Sequence, residues 1–222
     1  MAKKRIKNIF KTNIAGAGQE YGLNDKEIEK IASHLAISFQ GYPLFEHFAG
    51  GKYSLKKMRY FWRTNLLQLA KNSIIISDSD AYNSLAIFSP YEVGKFSLWQ
   101  HIKNGGITLA LLFGPKCIKR MTEFENLALK IKSKYSNPNC WYIYAFVTMP
   151  EYRHQGLGGK VFKQMLKFID ERNQDSYLET LLPINVEIYK KYGYELKESV
   201  PVLGTDLTIY AMFRPAQKTD KK

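Results

Sequence analysis

The residues best suited to chemistry are Arg153-His154-Gln155-Gly156-Leu157-Gly158-Gly159-Lys160, three glycines bracketed by two cationic side chains. A helix start leaves backbone N–H groups without partners and carries partial positive charge, so a tight turn there forms an anion cradle. Glycine has no Cβ to hold a phosphate away. Charge-assisted hydrogen bonds contribute roughly 1.5–3 kcal/mol each, so three or four would hold a diphosphate. The P-loop pattern fails, because Gly159-Lys160 is followed by Val161 rather than Ser or Thr and His154 stands where Gly is needed. The dinucleotide fingerprint fails too, with Val161 at its third glycine.

Two elements must position this turn. Before it, Trp141-Tyr142-Ile143-Tyr144-Ala145-Phe146-Val147-Thr148 reads as a strand buried on both faces. After it, Val161, Phe162, Met165, Leu166, Phe168 and Ile169 fall on one face of a helix starting near Leu157. A further strand over Tyr177–Leu181 follows, expected to run parallel to the first. Pro183 opens a short helix that Gly193 ends. Residues 194–197 and 206–213 predict an antiparallel pair, and Arg214 onward a solvated tail.

Strand, turn and helix with Arg153-x-x-Gly156-x-Gly158 after Pro150-Glu151-Tyr152 resemble the acetyl-CoA-binding segment of the GCN5-related N-acetyltransferase (GNAT) family. Asn185-Val-Glu-Ile-Tyr189-Lys-Lys-Tyr192-Gly193-Tyr194 resembles that family's Asn-x-x-x-Tyr-x-x-x-Gly-Phe segment. The resemblance spans residues 141–198; the earlier part more loosely resembles the puromycin-acetyltransferase-like branch. It implies that the backbone of Phe146, Val147 and Thr148 pairs with pantetheine. It further implies that Arg153 to Lys160 bind the pyrophosphate, that Asn185 contacts pantetheine and that Tyr189 points at the thioester sulfur.

The chemistry itself makes demands. An alkyl ammonium is almost wholly protonated at pH 7, which adds roughly 4 kcal/mol to attack on a thioester unless a base helps. Departure of the thiolate needs a proton donor; Tyr189 suits that role, and a packed core ring is its structural alternative. Glu179 is the candidate base, unless its strand turns it to solvent. Glu46 and His47 are further candidates for contact with the amine, and His101 reads as an ordinary helix histidine. Direct transfer in a ternary complex needs no Cys-His nucleophile, and Cys117 and Cys140 have neither metal nor disulfide spacing.

Along the rest of the chain, residues 1–12 form a basic arm read as a frayed terminus, with an amphipathic surface helix as the alternative. Asn24 or Asp25 caps a helix to about Phe39, a second helix begins near Ser54, and residues 73–77 and 84–89 form a hairpin. Residues 97–135 read as a helical insertion broken near Gly105-Gly106. With the resemblance, the expectation is one α/β domain over residues 1–222. It has a mixed, largely antiparallel central sheet, helices on both faces, and acetyl-CoA between two splayed central strands.

The net charge of +13 would attract polyanions, but the lysines are scattered and no nucleic-acid motif accompanies them. No apolar run approaches 18 residues and the N-terminus lacks the apolar region of a signal peptide. The expected protein is cytoplasmic, a monomer or homodimer without membrane or specific nucleic-acid partners. It would acetylate a small amine or a peptide amine from acetyl-CoA. An acyl-CoA sensor without catalysis, and nucleic-acid binding through the basic arm, are the competing readings.

Overall fold

A computed structural model describes residues 6–13, 20–69, 73–91 and 105–217. Eight strands form one sheet: β1 Ile6–Asn13, β2 Glu20–Leu23, β3 Ile74–Ser77, β4 Ser84–Pro90, β5 Cys140–Thr148, β6 Asp175–Thr180, β7 Glu195–Pro201 and β8 Thr208–Arg214. Their order is β2-β1-β3-β4-β5-β6-β8-β7. The β1/β3 and β5/β6 pairs are parallel and all the others antiparallel. The mixed, largely antiparallel sheet is therefore as expected.

Six helices flank it among the described residues: α1 Asp25–Ser38, α2 Pro43–Ala49, α3 Leu55–Leu69, α4 Gly106–Tyr135, α5 Leu157–Asp170 and α6 Pro183–Lys190. Asn24 starts α1 with a full capping box, its side chain accepting from the Lys26 and Glu27 amides while Glu27 accepts from the Asn24 amide. Ile28, Ile31 and Leu35 of α1 and Met58, Trp62 and Leu66 of α3 pack on Ile75, Leu85, Ile87, Ala145 and Val147. On the opposite face Val161, Phe162, Met165 and Ile169 of α5 pack on Ile74, Ile76, Ala86, Phe88, Trp141 and Ile143. With both faces covered, β3 and β4 are almost wholly buried, which is why each reads as an unbroken apolar run.

Four expectations change. The basic arm is neither frayed nor helical over residues 6–13: its backbone pairs with β3 as a parallel strand, Phe10 opposite Ile74. The insertion's described part is one long helix whose break lies at Gly114, not at Gly105-Gly106, because Gly114 (φ 75°, ψ 166°) precedes Pro115, which disfavours helical backbone before it. Residues 97–104, with Trp99 and His101, lie outside the described residues. Arg214 does not begin a solvated tail; it ends β8 and is buried in a bidentate pair with Asp170, at 2.6 and 2.9 Å. Finally, β5 is not uniformly buried: Tyr142, Tyr144, Phe146 and Thr148 are only half-buried.

Candidate active site

The parallel strands β5 and β6 pair only at Cys140–Asp175, Trp141–Ser176 and Tyr142–Tyr177. Beyond Tyr142 they part. From Ile143 to Thr148, β5 keeps β4 on one side, while β6 to Thr180 keeps β8 on its other side. Separated strands leave facing N–H and C=O groups unpaired, an edge on which an extended amide chain can add as another strand. A register shift between Ile87 and Phe88 bulges β5 at Tyr144, so that Tyr144 and Ala145 face α3 while Phe146 faces Phe162 of α5.

At the end of β5 the chain passes through a 3-10 turn, Pro150–Tyr152, into α5. Gly156 is the N-cap, with φ 74°, and no side chain caps the helix. Lys160 N–H bonds Gly156 O and Arg153 N–H bonds Pro150 O. The amides of Leu157, Gly158 and Gly159 have no carbonyl four residues back within the helix. The cradle thus has free donors where an anion would need them.

The three glycines do not share one role. A Cβ on Gly156 meets nothing within 4 Å, so its value is its left-handed backbone. A Cβ on Gly158 would lie 2.8 Å from Thr148 Oγ1 and 3.3 Å from Phe146 Cζ. Gly158 thus faces the sheet and lets α5 approach it. Thr148 Oγ1 also shares a 2.9 Å bond with Ser84 Oγ, so that hydroxyl is held in place. Arg153 also braces the fold, since Nε donates to Thr148 O (3.1 Å) and Nη2 to Ser38 O (3.0 Å) at the end of α1. Its charge then sits at a helix C-terminus while its side chain joins α1 to the cradle. His154, Gln155 and Lys160 are exposed around the turn.

Across the gap, Asn185 Nδ2 donates to Thr180 Oγ1 at 3.0 Å. Tyr42, which in the sequence marks only a helix stop, bonds the same oxygen at 3.3 Å and accepts from Leu181 N–H at 2.9 Å. Tyr189 packs against Phe162 and Tyr194, at 5.4 and 5.9 Å between ring centroids. Burial, with the Tyr42 and Tyr194 phenols adding to it, holds its hydroxyl protonated well above the usual phenol range.

Glu179 faces the other side of β6 and does not look to solvent. It lines a cavity of about 590 Å³ enclosed by α2, α3, α4, β5 and β6. Tyr142 donates to Glu179 Oε2 at 2.9 Å, while Oε1 is buried without a hydrogen-bond partner. Burial pushes the carboxyl up to about 7, opposed by the Tyr142 and Tyr177 phenols and by the charge of Lys132. Such a group accepts a proton near neutrality. Glu46 and His47 are not among the residues lining this cavity; Glu46 instead accepts from the Gly41 amide, and the His47 carbonyl accepts from Arg120. Cys117 and Cys140 are buried free thiols, and no cluster of metal-binding side chains occurs among the described residues.

Residues 126–197, from the end of α4 into β7, match the family model described as an acetyltransferase (GNAT) domain. The chain is similar over this stretch, about a third of its length, to the GNAT acetyltransferase family. Its sheet and helices align with the structure of a histone acetyltransferase HPA2 and related acetyltransferase from Corynebacterium glutamicum, at TM-score 0.57 and 17% identity over 89% of this chain and 96% of that one. A second acetyltransferase structure aligns at TM-score 0.53 and 13% identity, over 86% and 96%. At such identities the likeness is one of GNAT fold. The match to ribosomal-protein-S18-alanine N-acetyltransferase from Escherichia coli is partial, spanning 38% of this chain and 59% of that one at 15% identity and TM-score 0.33. No relative was found among curated protein sequences. Tyr42 and Lys132 escaped sequence reasoning because they come from elements outside both motifs, and Tyr144, though in the strand before the turn, because the bulge that aims it at α3 leaves no local signal.

Proposed function

We propose that this protein transfers the acetyl group of acetyl-CoA to a primary amine by direct attack in a ternary complex. The observation that carries the reading is the parting of β5 and β6 after Tyr142, with the uncapped α5 start at one end and Glu179 and Tyr189 on its two sides. The residues present suit acetyl-CoA. The β5 edge along Phe146, Val147 and Thr148, where β6 no longer pairs, matches the amides of pantetheine, with the Thr148 carbonyl already held by Arg153. The 157–159 amides, with Lys160 nearby, match a diphosphate, and Asn185 stands across the gap.

Acetyl-CoA supplies an activated acyl carbon and a thiol leaving group. Glu179 takes a proton from the ammonium, the nitrogen bonds the acyl carbon, and the carbon–sulfur bond breaks. Tyr189 gives its proton to sulfur, the nitrogen releases its second proton, which restores the Tyr189 hydroxyl through solvent, and the products are an N-acetyl amine, free coenzyme A and the proton that Glu179 passes on to solvent. A thiolate near pKa 8.5 protonated by a phenol at its ordinary pKa near 10 is uphill by about 2 kcal/mol. Burial adds to that difference, and it also guarantees that the proton is there to give.

We place the reaction in one domain of a cytoplasmic monomer or homodimer. Two unpaired cysteines fit a reducing compartment, and no helix among the described residues is long and apolar enough to cross a membrane. The test is calorimetry with coenzyme A followed by thiol release from acetyl-CoA across an amine panel. Coenzyme A binding with turnover of at least one amine is expected. Absence of binding would overturn the reading, and binding without turnover would favour an acyl-CoA sensor.

A further inference from the structure

The cavity beside Glu179 is unusual in how its polar groups are distributed. Phe45, Phe48, Trp62 and Phe124 line it from α2, α3 and α4. Phe45 and Trp62 lie 5.4 Å apart and Phe48 and Phe124 5.8 Å apart between ring centroids, so the rings form a connected aromatic wall. At about 590 Å³ it is of the size that takes a small molecule. Buried polar atoms without partners also line it: Glu179 Oε1, Thr64 Oγ1 and Trp62 Nε1. Trp62 and Thr64 are 3% and 1% exposed. An ammonium would supply donors to Glu179 Oε1 and Thr64 Oγ1, while Trp62 Nε1, itself a donor, is left as it is.

Charge narrows the ligand further. The acidic groups lining the cavity are Glu179 and, on α4, the exposed Glu125; the basic one is Lys132, whose Nζ lies 4.5 Å from the Tyr142 ring centroid and donates to Tyr91 O. Tyr144 donates to Asn65 Oδ1 at 2.8 Å, so those two satisfy each other. One cationic nitrogen has a partner at Glu179. A second ammonium could reach only the exposed Glu125, and any further one would lie against phenyl rings with Lys132 as a like charge, where burying an unpaired charge is prohibitive. A peptide would bring more backbone N–H and C=O groups than the few unpartnered polar atoms of the wall could match.

We infer that the acceptor is a monoamine with a bulky apolar body, an arylalkylamine or a long alkylamine, whose nitrogen meets Glu179 and whose body fills the aromatic chamber. The inference rests on the acetyl-transfer reading and names the substrate class of that site.

The test uses the full-length protein saturated with acetyl-CoA and follows thiol release with 2-phenylethylamine, n-octylamine, n-butylamine, spermidine and a lysine peptide. Phenylethylamine and octylamine are expected to exceed butylamine in kcat/KM by about 10-fold or more, since each methylene taken into a fitted apolar pocket gains roughly that much discrimination. Preference for spermidine or the peptide, or no dependence on chain length, would overturn the inference while leaving acetyl transfer intact. Leu129→Arg alters an exposed lining residue outside the packed core. It should abolish the octylamine preference and leave coenzyme A affinity unchanged; an unaltered preference counts against the chamber. Calorimetric titration of octylamine and butylamine into the coenzyme A complex separates the two levels. Length-dependent binding without thiol release from any amine would sink acetyl transfer and uphold the chamber; turnover without length-dependent binding would do the reverse.

Discussion

The Tyr142 hydroxyl donates a 2.9 Å hydrogen bond to Glu179 Oε2, and Tyr142 is also the last residue at which β5 pairs with β6. The bond therefore holds the candidate base at the point where the sheet opens. It lowers the cost of ionising a buried carboxyl without abolishing it, which leaves the group poised near pH 7.

Glu179→Gln should lower kcat by about 10²–10⁴, the usual contribution of a positioned acid or base. In the native protein kcat at saturating substrates should rise with pH through about 7 as Glu179 ionises, and the variant should lose that limb. A pH profile of kcat for both proteins decides it.

Stability carries the same signature with a definite sign. The folded carboxyl titrates near 7 against 4.5 for its ordinary value, so the folded state holds a proton that the unfolded chain releases. The contribution is fully present below pH 4.5 and is lost as pH rises through 7. Glu179→Gln lacks this slope and should gain on the native protein by up to about 3 kcal/mol between pH 4.5 and 7. Urea denaturation across that range gives the difference directly.

Tyr189→Phe should keep its packing against Phe162 and Tyr194, because only the hydroxyl is lost. The expected outcome is a kcat reduced about 100-fold with coenzyme A affinity nearly unchanged. Equal turnover in the two proteins would assign Tyr189 to the core alone.

Gly158→Ala and Gly156→Ala should differ in kind. The first places a methyl group 2.8 Å from a hydroxyl that Ser84 holds, so α5 must move; a loss of about 1–3 kcal/mol and weakened coenzyme A binding are expected. The second meets no atom and costs only the left-handed conformation, about 1–2 kcal/mol. Trimming Thr148 to Ala should rescue Gly158→Ala and leave Gly156→Ala unaltered, as read by thermal unfolding.

Asp170→Asn leaves the Arg214 guanidinium buried without its counter-charge. Breaking a pair of this burial costs about 3–5 kcal/mol, or a fall in Tm of roughly 6–20 °C for a domain of this size. A change within a few tenths of a kcal/mol would mean that the pair is as weak as one on the surface.

The local grammar of the chain was enough to specify most elements. Asn24 and Glu27 mark the start of α1, the apolar face from Val161 to Ile169 marks α5, and the Arg153-to-Lys160 turn marks the cradle, because each depends on neighbours within a few residues. Sequence also singled out Glu179 and Tyr189 as acid–base candidates. Tertiary structure alone decided what surrounds them. Whether Glu179 meets solvent or a cavity depends on α3 and α4, drawn from more than 40 residues away, and local periodicity carries no information about such neighbours. The same holds for Arg214, whose partner Asp170 is 44 residues distant, and for the basic arm, whose strand exists because β2 and β3 pair with it on either side. Spacing along the chain specifies faces; what each face meets is set by pairings that only the folded sheet brings about.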